Sequence, residues 1–256
     1  MKKLFIISSF TLNFVLIGGG LLLLYEKKIL HKALRIIFYE GRVPYITPSY
    51  AMNRYYETRK ALFKVQRDFD RPVLLIGDSH TAIPDWTALL GAPQIAARGI
   101  EGDTTIGLIA RLRDYNDINS RNVVIWIGTN DVMQGGKAKG VAKRIMEAAR
   151  RKADILKRSF TTESTEDTED TEIFVIGIPP MATWVERGME RNATIREINA
   201  LLAEGAKENG YQFIELESRL ADESGFLRGD MTSDGVHLSA KGYEAVLEKM
   251  KESGLF

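Results

Sequence analysis

The sequence predicts an α/β domain, a parallel sheet with helices on both faces, and three observations carry that prediction. First, short apolar runs with no polar interruption occur at residues 73–76, 123–127 and 173–178, with a weaker one at 212–216. Such runs are typical of strands buried on both faces. Second, the segments between them have helical spacing. Val141, Ile145, Ala149, Ala153 and Leu156 share one face, as do Ile195, Ile198 and Leu202. Third, strand and helix alternate along the chain, the order that crossover connections of a parallel sheet require. The domain is expected over residues 71–256. Its last helix is capped by Ser239 and carries Tyr243, Val246, Leu247 and Met250 as an apolar stripe.

Composition removes several function classes. The 256 residues are 45% apolar and 27% charged, with a formal net charge of +1, so no global field favours nucleic acid. No zinc-finger or basic-helix pattern occurs. The absence of cysteine excludes disulfides, thiol nucleophiles and cysteine-ligated metals. Only three histidines, His31, His80 and His237, are available to any mechanism that needs an imidazole base.

The first 70 residues differ in character from the rest. Residues 4–25 form an uncharged stretch of 22 residues after Lys2 and Lys3. As a helix rising about 1.5 Å per residue, it would cross a hydrocarbon core roughly 30 Å thick. The stretch runs into Tyr25-Glu-Lys-Lys28 and not into small residues, so the expectation is an uncleaved transmembrane anchor over 1–25. The protein is then expected to be single-pass, with the membrane as a partner. Lys27, Lys28, Lys32, Arg35 and Arg42 place the basic excess after the span, which points the domain inwards, whereas the expected chemistry favours an extracytoplasmic domain. The side stays open. Residues 26–70 read as a basic, aromatic juxtamembrane linker, broken at Pro44 and Pro48. They are either a membrane-surface helix or a connecting helix with a solvated basic face. Residues 163–172, with six acidic side chains and no basic one, are expected as a solvated loop.

Four stretches can carry chemistry. In Pro72-Val-Leu-Leu-Ile-Gly-Asp-Ser-His-Thr81 a buried strand runs into a glycine turn that presents Asp78, Ser79 and His80 at the strand's carboxyl end, where open α/β sheets bind ligands. A capping serine in an ordinary loop would look the same. In Arg98-Gly-Ile-Glu-Gly-Asp-Thr-Thr105 a glycine turn around Gly102 leaves N–H groups free for an oxyanion, and Thr105 is placed to cap a helix over 106–113. In Val123-Val-Ile-Trp-Ile-Gly-Thr-Asn-Asp131 a strand ends at Asn130, whose amide can donate into the same crevice, and Asp131. Turn chemistry alone also accounts for this pair. In Ser233-Asp-Gly-Val-His-Leu-Ser239, Asp234 can receive an imidazole N–H from His237 and leave the other nitrogen to take a serine proton. A solvated histidine or a metal ligand is the competing reading, and no second histidine lies nearby to complete a metal site.

Together these stretches resemble the SGNH hydrolases, also called GDSL esterases and lipases. Gly77-Asp78-Ser79, Gly102, Gly128-Thr129-Asn130-Asp131 and Asp234-Gly-Val-His237 match that family's four blocks in order. The resemblance implies a three-layer α/β/α sandwich of flavodoxin-like type without metal or organic cofactor. It implies Ser79 as nucleophile, His237 as base, Asp234 as its orienting acid, and an oxyanion hole from the Ser79 and Gly102 N–H groups and the Asn130 side chain. Asp78, His80 and Asp131 are candidate substrate-pocket residues. His80 departs from the leucine common in the family, and Ala97 from an asparagine. The branch most similar is that of the acetylhydrolases. The expected function is a membrane-anchored serine esterase for short-acyl esters. The alternatives are a lysophospholipase, lipase or thioesterase, an O-acetyltransferase to envelope glycans, and an inactive glycan-binding module.

Overall fold

Strands β1 (Val73–Gly77), β2 (Ile95–Gly99), β3 (Asn122–Trp126), β4 (Glu172–Ile176) and β5 (Gln212–Ile214) pair only in parallel, in the order β2-β1-β3-β4-β5. The computed structural model describes residues 50–66, 71–91, 94–115, 120–160 and 172–256, all within one compact unit. The strand order reverses direction beside β1, between it and β3. A crevice therefore opens at their carboxyl ends, the binding position of sheets with this order.

The helices are α1 (Tyr50–Val65), α2 (Ser79–Ala82), α3 (Trp86–Leu90), α4 (Thr105–Arg111), α5 (Thr129–Met133), α6 (Ala138–Phe160), α7 (Gly188–Asn209), α8 (Glu217–Leu220) and α9 (Ala240–Glu252). Side chains alternate across a strand, so each one supplies both faces of the sheet. Val73, Leu75, Val124, Trp126, Phe174 and Ile176 point to one side, where they join Trp86 of α3, Leu220 of α8 and Tyr243, Val246, Leu247 and Met250 of α9 in one core. Leu74, Ile76, Val123, Ile125 and Val175 supply the other side and are fully buried there. That face is covered by α6, which packs on β3 and β4 and is flanked by α4 and α7. Three layers result, as the alternation of elements requires.

Strand β2 is absent from the sequence expectation. Ile95-Ala-Ala-Arg-Gly99 carries one large aliphatic residue, too weak a run to read as a buried strand. Its small residues are needed for another reason. Gly99 pairs in register with Gly77, and a Cβ on Gly99 would lie 2.4 Å from the Ala82 nitrogen and 2.6 Å from the Asp78 carbonyl oxygen. The turn bearing Ser79 thus lies directly against the end of β2. The helix after it is capped by Thr104 and not by Thr105: the Thr104 side chain accepts from the Gly107 N–H, and Thr105 is the first helical residue. Its expected end at Arg113 falls in a 3-10 turn over Leu112–Tyr115.

Helix α1 lies within the stretch expected as a linker, and it docks on the domain. Tyr56 donates to the Gly107 carbonyl at 3.3 Å, Arg59 to the Gly99 carbonyl at 3.4 Å, and Phe63 meets Tyr115 edge-on at 5.9 Å.

The expected transmembrane helix is corrected. Among the described residues no helix is long and apolar enough to cross a membrane. The two long ones, α6 and α7, are amphipathic: Lys143, Arg144, Glu147 and Arg150 interrupt the first, and Arg191, Arg196, Glu197 and Glu204 the second. Residues 4–25, on which the expectation rested, lie outside the described residues, as do residues 163–171 of the acidic run. The membrane anchor, the membrane as partner and the single-pass localisation with an extracytoplasmic domain therefore have no structural support and are set aside.

The close approach of Gly99 is testable. Gly99→Ala should destabilise the protein by about 1–3 kcal/mol, because the obstructing atoms are backbone and cannot rotate away. A chemical-denaturation midpoint equal to that of the unsubstituted chain would show that the turn has room to move.

Candidate active site

Each site residue sits at the carboxyl end of a strand or in a loop brought there. Ser79 is the first residue of α2, directly after β1, so its N–H lies outside the helical ladder. Asp78 caps that helix, its carboxylate accepting from the His80 N–H at 3.1 Å. Ser79 is 5% exposed, at the bottom of the crevice.

Its hydroxyl oxygen lies 3.0 Å from His237 Nε2, and His237 Nδ1 lies 2.6 Å from Asp234 Oδ2. The other Asp234 oxygen accepts from the N–H groups of Val236 at 2.9 Å and His237 at 2.7 Å. Partial burial raises the Asp234 carboxyl, but the His237 ring and these two N–H groups outweigh it and hold the carboxyl at about 2. An ionised carboxylate on Nδ1 fixes the tautomer in which Nε2 is free to accept the serine proton. The loop geometry supports the arrangement. Gly235, with φ +93, turns the chain between acid and base, and the Thr232 hydroxyl donates to the His237 carbonyl at 2.6 Å.

Gly102 has φ +76, a conformation that favours glycine, in the turn between β2 and α4. Asn130, in the first turn of α5, donates from Nδ2 to the Asp103 carbonyl at 2.9 Å, which ties it to that same turn. Asp131 is held by the protein itself. It is buried, and its carboxylate accepts from the Thr105 N–H at 2.8 Å, the Thr105 hydroxyl at 2.7 Å and Arg144 at 3.0 Å. Asp78 and His80 are likewise buried and bonded to protein groups.

Sequence reasoning missed Arg111 and Asp103. Arg111 is fully buried and donates to Asp103 at 2.7 Å, to the Gly77 carbonyl at 2.8 Å, to the Arg98 carbonyl at 2.9 Å and to the Tyr115 hydroxyl. Burial pushes the Asp103 carboxyl up to about 6, against the pull of Arg111 and the Thr104 N–H. It is still ionised at neutral pH. Asp103 lies inside the Gly102 stretch, so its position was visible, but an arginine near the end of a short helix carries no local mark of burial. Among the described residues no group of three or more His, Asp or Glu side chains is placed to hold a metal ion.

The sequence matches the GDSL-like lipase/acylhydrolase family over residues 75–245. The chain belongs to this family, the SGNH hydrolases. It is a serine hydrolase of the GDSL type. Among curated proteins no relative matches the chain. Solved structures with the same fold include a platelet activating factor candidate from Streptococcus pneumonia, at 23% identity over 80% of this chain and 95% of that one, with a TM-score of 0.66. A GDSL-like lipase from Bacteroides thetaiotaomicron follows at 23% identity, over 78% and 95% of the two chains, with a TM-score of 0.60. A variant of an acetyl-xylooligosaccharide esterase from Geobacillus is similar at 16% identity, over 73% and 97%, with a TM-score of 0.55.

The carboxylate at about 2 determines the acid behaviour of the site. Because the folded Asp234 carboxyl lies below its ordinary 3.8, the carboxylate persists as pH falls until it approaches about 2. The acid side of the kcat/KM profile should therefore carry no protonation of Asp234 in the mildly acidic range. Asp234→Asn should lower kcat by at least about 100-fold by releasing the tautomer. A protonation of Asp234 in the mildly acidic range in the unsubstituted enzyme would contradict this reading.

Proposed function

We propose that the chain is an esterase that hydrolyses short-acyl carboxylic esters, with residues 71–256 as its catalytic domain and α1 as a brace. The observation that carries the reading is the unbroken relay from Asp234 through His237 to Ser79, with contacts of 2.6 Å and 3.0 Å. In the proposed reaction Ser79 attacks the ester carbonyl while His237 takes its proton. The oxyanion is met by the Ser79 and Gly102 N–H groups and the second N–H of Asn130, whose first is committed to Asp103. His237 then protonates the leaving alcohol, and water activated by the same imidazole releases the acid.

One feature favours a sugar as the alcohol part. Trp184 is 61% exposed and lies against Gly235 of the loop that bears the base, where an indole face can stack on a sugar ring. The acetyl-xylooligosaccharide esterase among the structures of this fold is consistent with such a substrate.

A chain-length series of acyl esters tests the reading, with acetyl expected to be preferred and long acyl chains poorly turned over. Ser79→Ala should abolish both turnover and labelling by a fluorophosphonate; labelling that persists would remove Ser79 from the role. Asn130→Ala should keep measurable activity but lose about 100-fold in kcat, the usual effect of deleting one oxyanion donor.

A further inference from the structure

The reaction just described leaves one buried imidazole without a task. His80 is 1% exposed, follows the nucleophile directly, and lies with its ring centroid 5.7 Å from that of His237 and 5.3 Å from that of Trp126. Its Nε2 is 3.1 Å from the carbonyl oxygen of Val236, and its Nδ1 is 3.3 Å from Asp78 Oδ1. A carbonyl only accepts, and an ionised carboxylate only accepts. A neutral imidazole has a single N–H, so it can satisfy one of these contacts but sets lone pair against lone pair at the other.

We propose that Asp78 and His80 form a second imidazole–carboxylate pair that holds two protons, one on Nε2 donated to Val236 and one shared between Nδ1 and Asp78. The pair is then neutral overall, whether written as imidazolium with carboxylate or as imidazole with carboxylic acid. Neutrality has a physical reason. The second Asp78 oxygen is buried without a hydrogen-bond partner among the described residues, and the neighbouring cation, Arg111 on the Gly77 carbonyl, is already paired with Asp103. Asp103 of the oxyanion turn and Tyr243 of α9 both face Asp78: burial is the main cause that raises each of them, and a negative Asp78 adds to it. An uncompensated anion here would also oppose the oxyanion that forms at Ser79.

The proton on Nε2 has a use. His80 rides on the nucleophile's own helix, and Val236 immediately precedes the base, so His80–Val236 and Ser79–His237 are two parallel rungs between the same two segments. His80 is a positioning residue: it holds the loop so that His237 meets the serine hydroxyl. This role rests on the esterase reading above, but the protonation of the ring does not.

The experiment uses the full chain with ¹⁵N-labelled histidine, whose three imidazoles are assigned with a His80→Gln variant. Near neutral pH His80 Nε2 should carry a proton and Nδ1 should show the ¹⁵N shift of a protonated or strongly hydrogen-bonded nitrogen; an Nε2 without a proton, or an Nδ1 with the shift of a bare lone pair, overturns the proposal even if the protein proves to hydrolyse no ester. On the preferred ester, His80→Leu should lower kcat by about tenfold to a hundredfold with KM nearly unchanged, as expected when reacting groups are misplaced and not lost. His80→Gln keeps an N–H in reach of Val236 and should recover most of that loss. Full activity of His80→Leu, or equal loss in both variants, overturns the positioning role.

Discussion

The loops at the carboxyl end of the sheet depend on one guanidinium. Arg111 lies at 1% exposure, and taking such a charge out of water costs several kcal/mol unless every donor finds a partner. Its partners come from four segments: Gly77 at the end of β1, Arg98 in β2, Asp103 in the turn after Gly102, and Tyr115 in the 3-10 turn after α4. The proposed nucleophile, Ser79, and two of the three proposed oxyanion donors are thereby referred to one rigid, planar group. Asp103 passes the constraint on, since its carbonyl takes the Asn130 amide. Asp131 closes the ring by holding the start of α4 through Thr105. The ion pair is thus better understood as a device for geometry than as a source of stability, since buried pairs of this kind gain little over an apolar filling.

Much of this architecture is legible in the sequence, and the reasons for the gaps are physical. Apart from Asn122 and Glu172, which open β3 and β4, the residues of strands β1, β3 and β4 are buried on both faces and carry no polar side chain, so they announce themselves. Strand β2 has to let the nucleophile turn pass close by, and Ala96, Ala97 and Gly99 are small for that purpose. The same property hides it as a strand. Of the site residues, Ser79, Gly102, Asn130, Asp234 and His237 stand in short motifs whose local backbone is itself unusual. Arg111 and the α1 contacts have no such local signature, because their partners lie far along the chain. Tyr56 bonds to Gly107, and nothing near either residue specifies the other. Asp78, His80 and Asp131 were visible as polar residues near the nucleophile or the asparagine, but their burial reverses the sense of that observation: they hold the protein to itself. The long apolar N-terminal stretch shows the opposite limit, since hydropathy alone raised an anchor that no described helix supports.

The position of the site follows from sheet order. With β1 flanked by β2 and β3, the segments leaving three neighbouring strands converge on one crevice, and each delivers one of the proposed groups, Ser79, Gly102 or Asn130. The proposed base, His237, arrives from elsewhere. Its loop follows β5 and α8 and is fastened by the Ala182 N–H, which donates to the Gly235 carbonyl at 2.9 Å.

That loop has a bearing on assembly. Asp234 and His237 are three positions apart within one turn, whereas His237 and Ser79 are separated by 158 positions. The first contact needs almost no chain closure and can form in a nearly isolated segment, while the second waits for the whole sheet and its crossovers. One half of the proposed relay is thus set by a local turn, and the other depends on the whole sheet, so a change that loosens the sheet separates Ser79 from an imidazole that its own turn still orients.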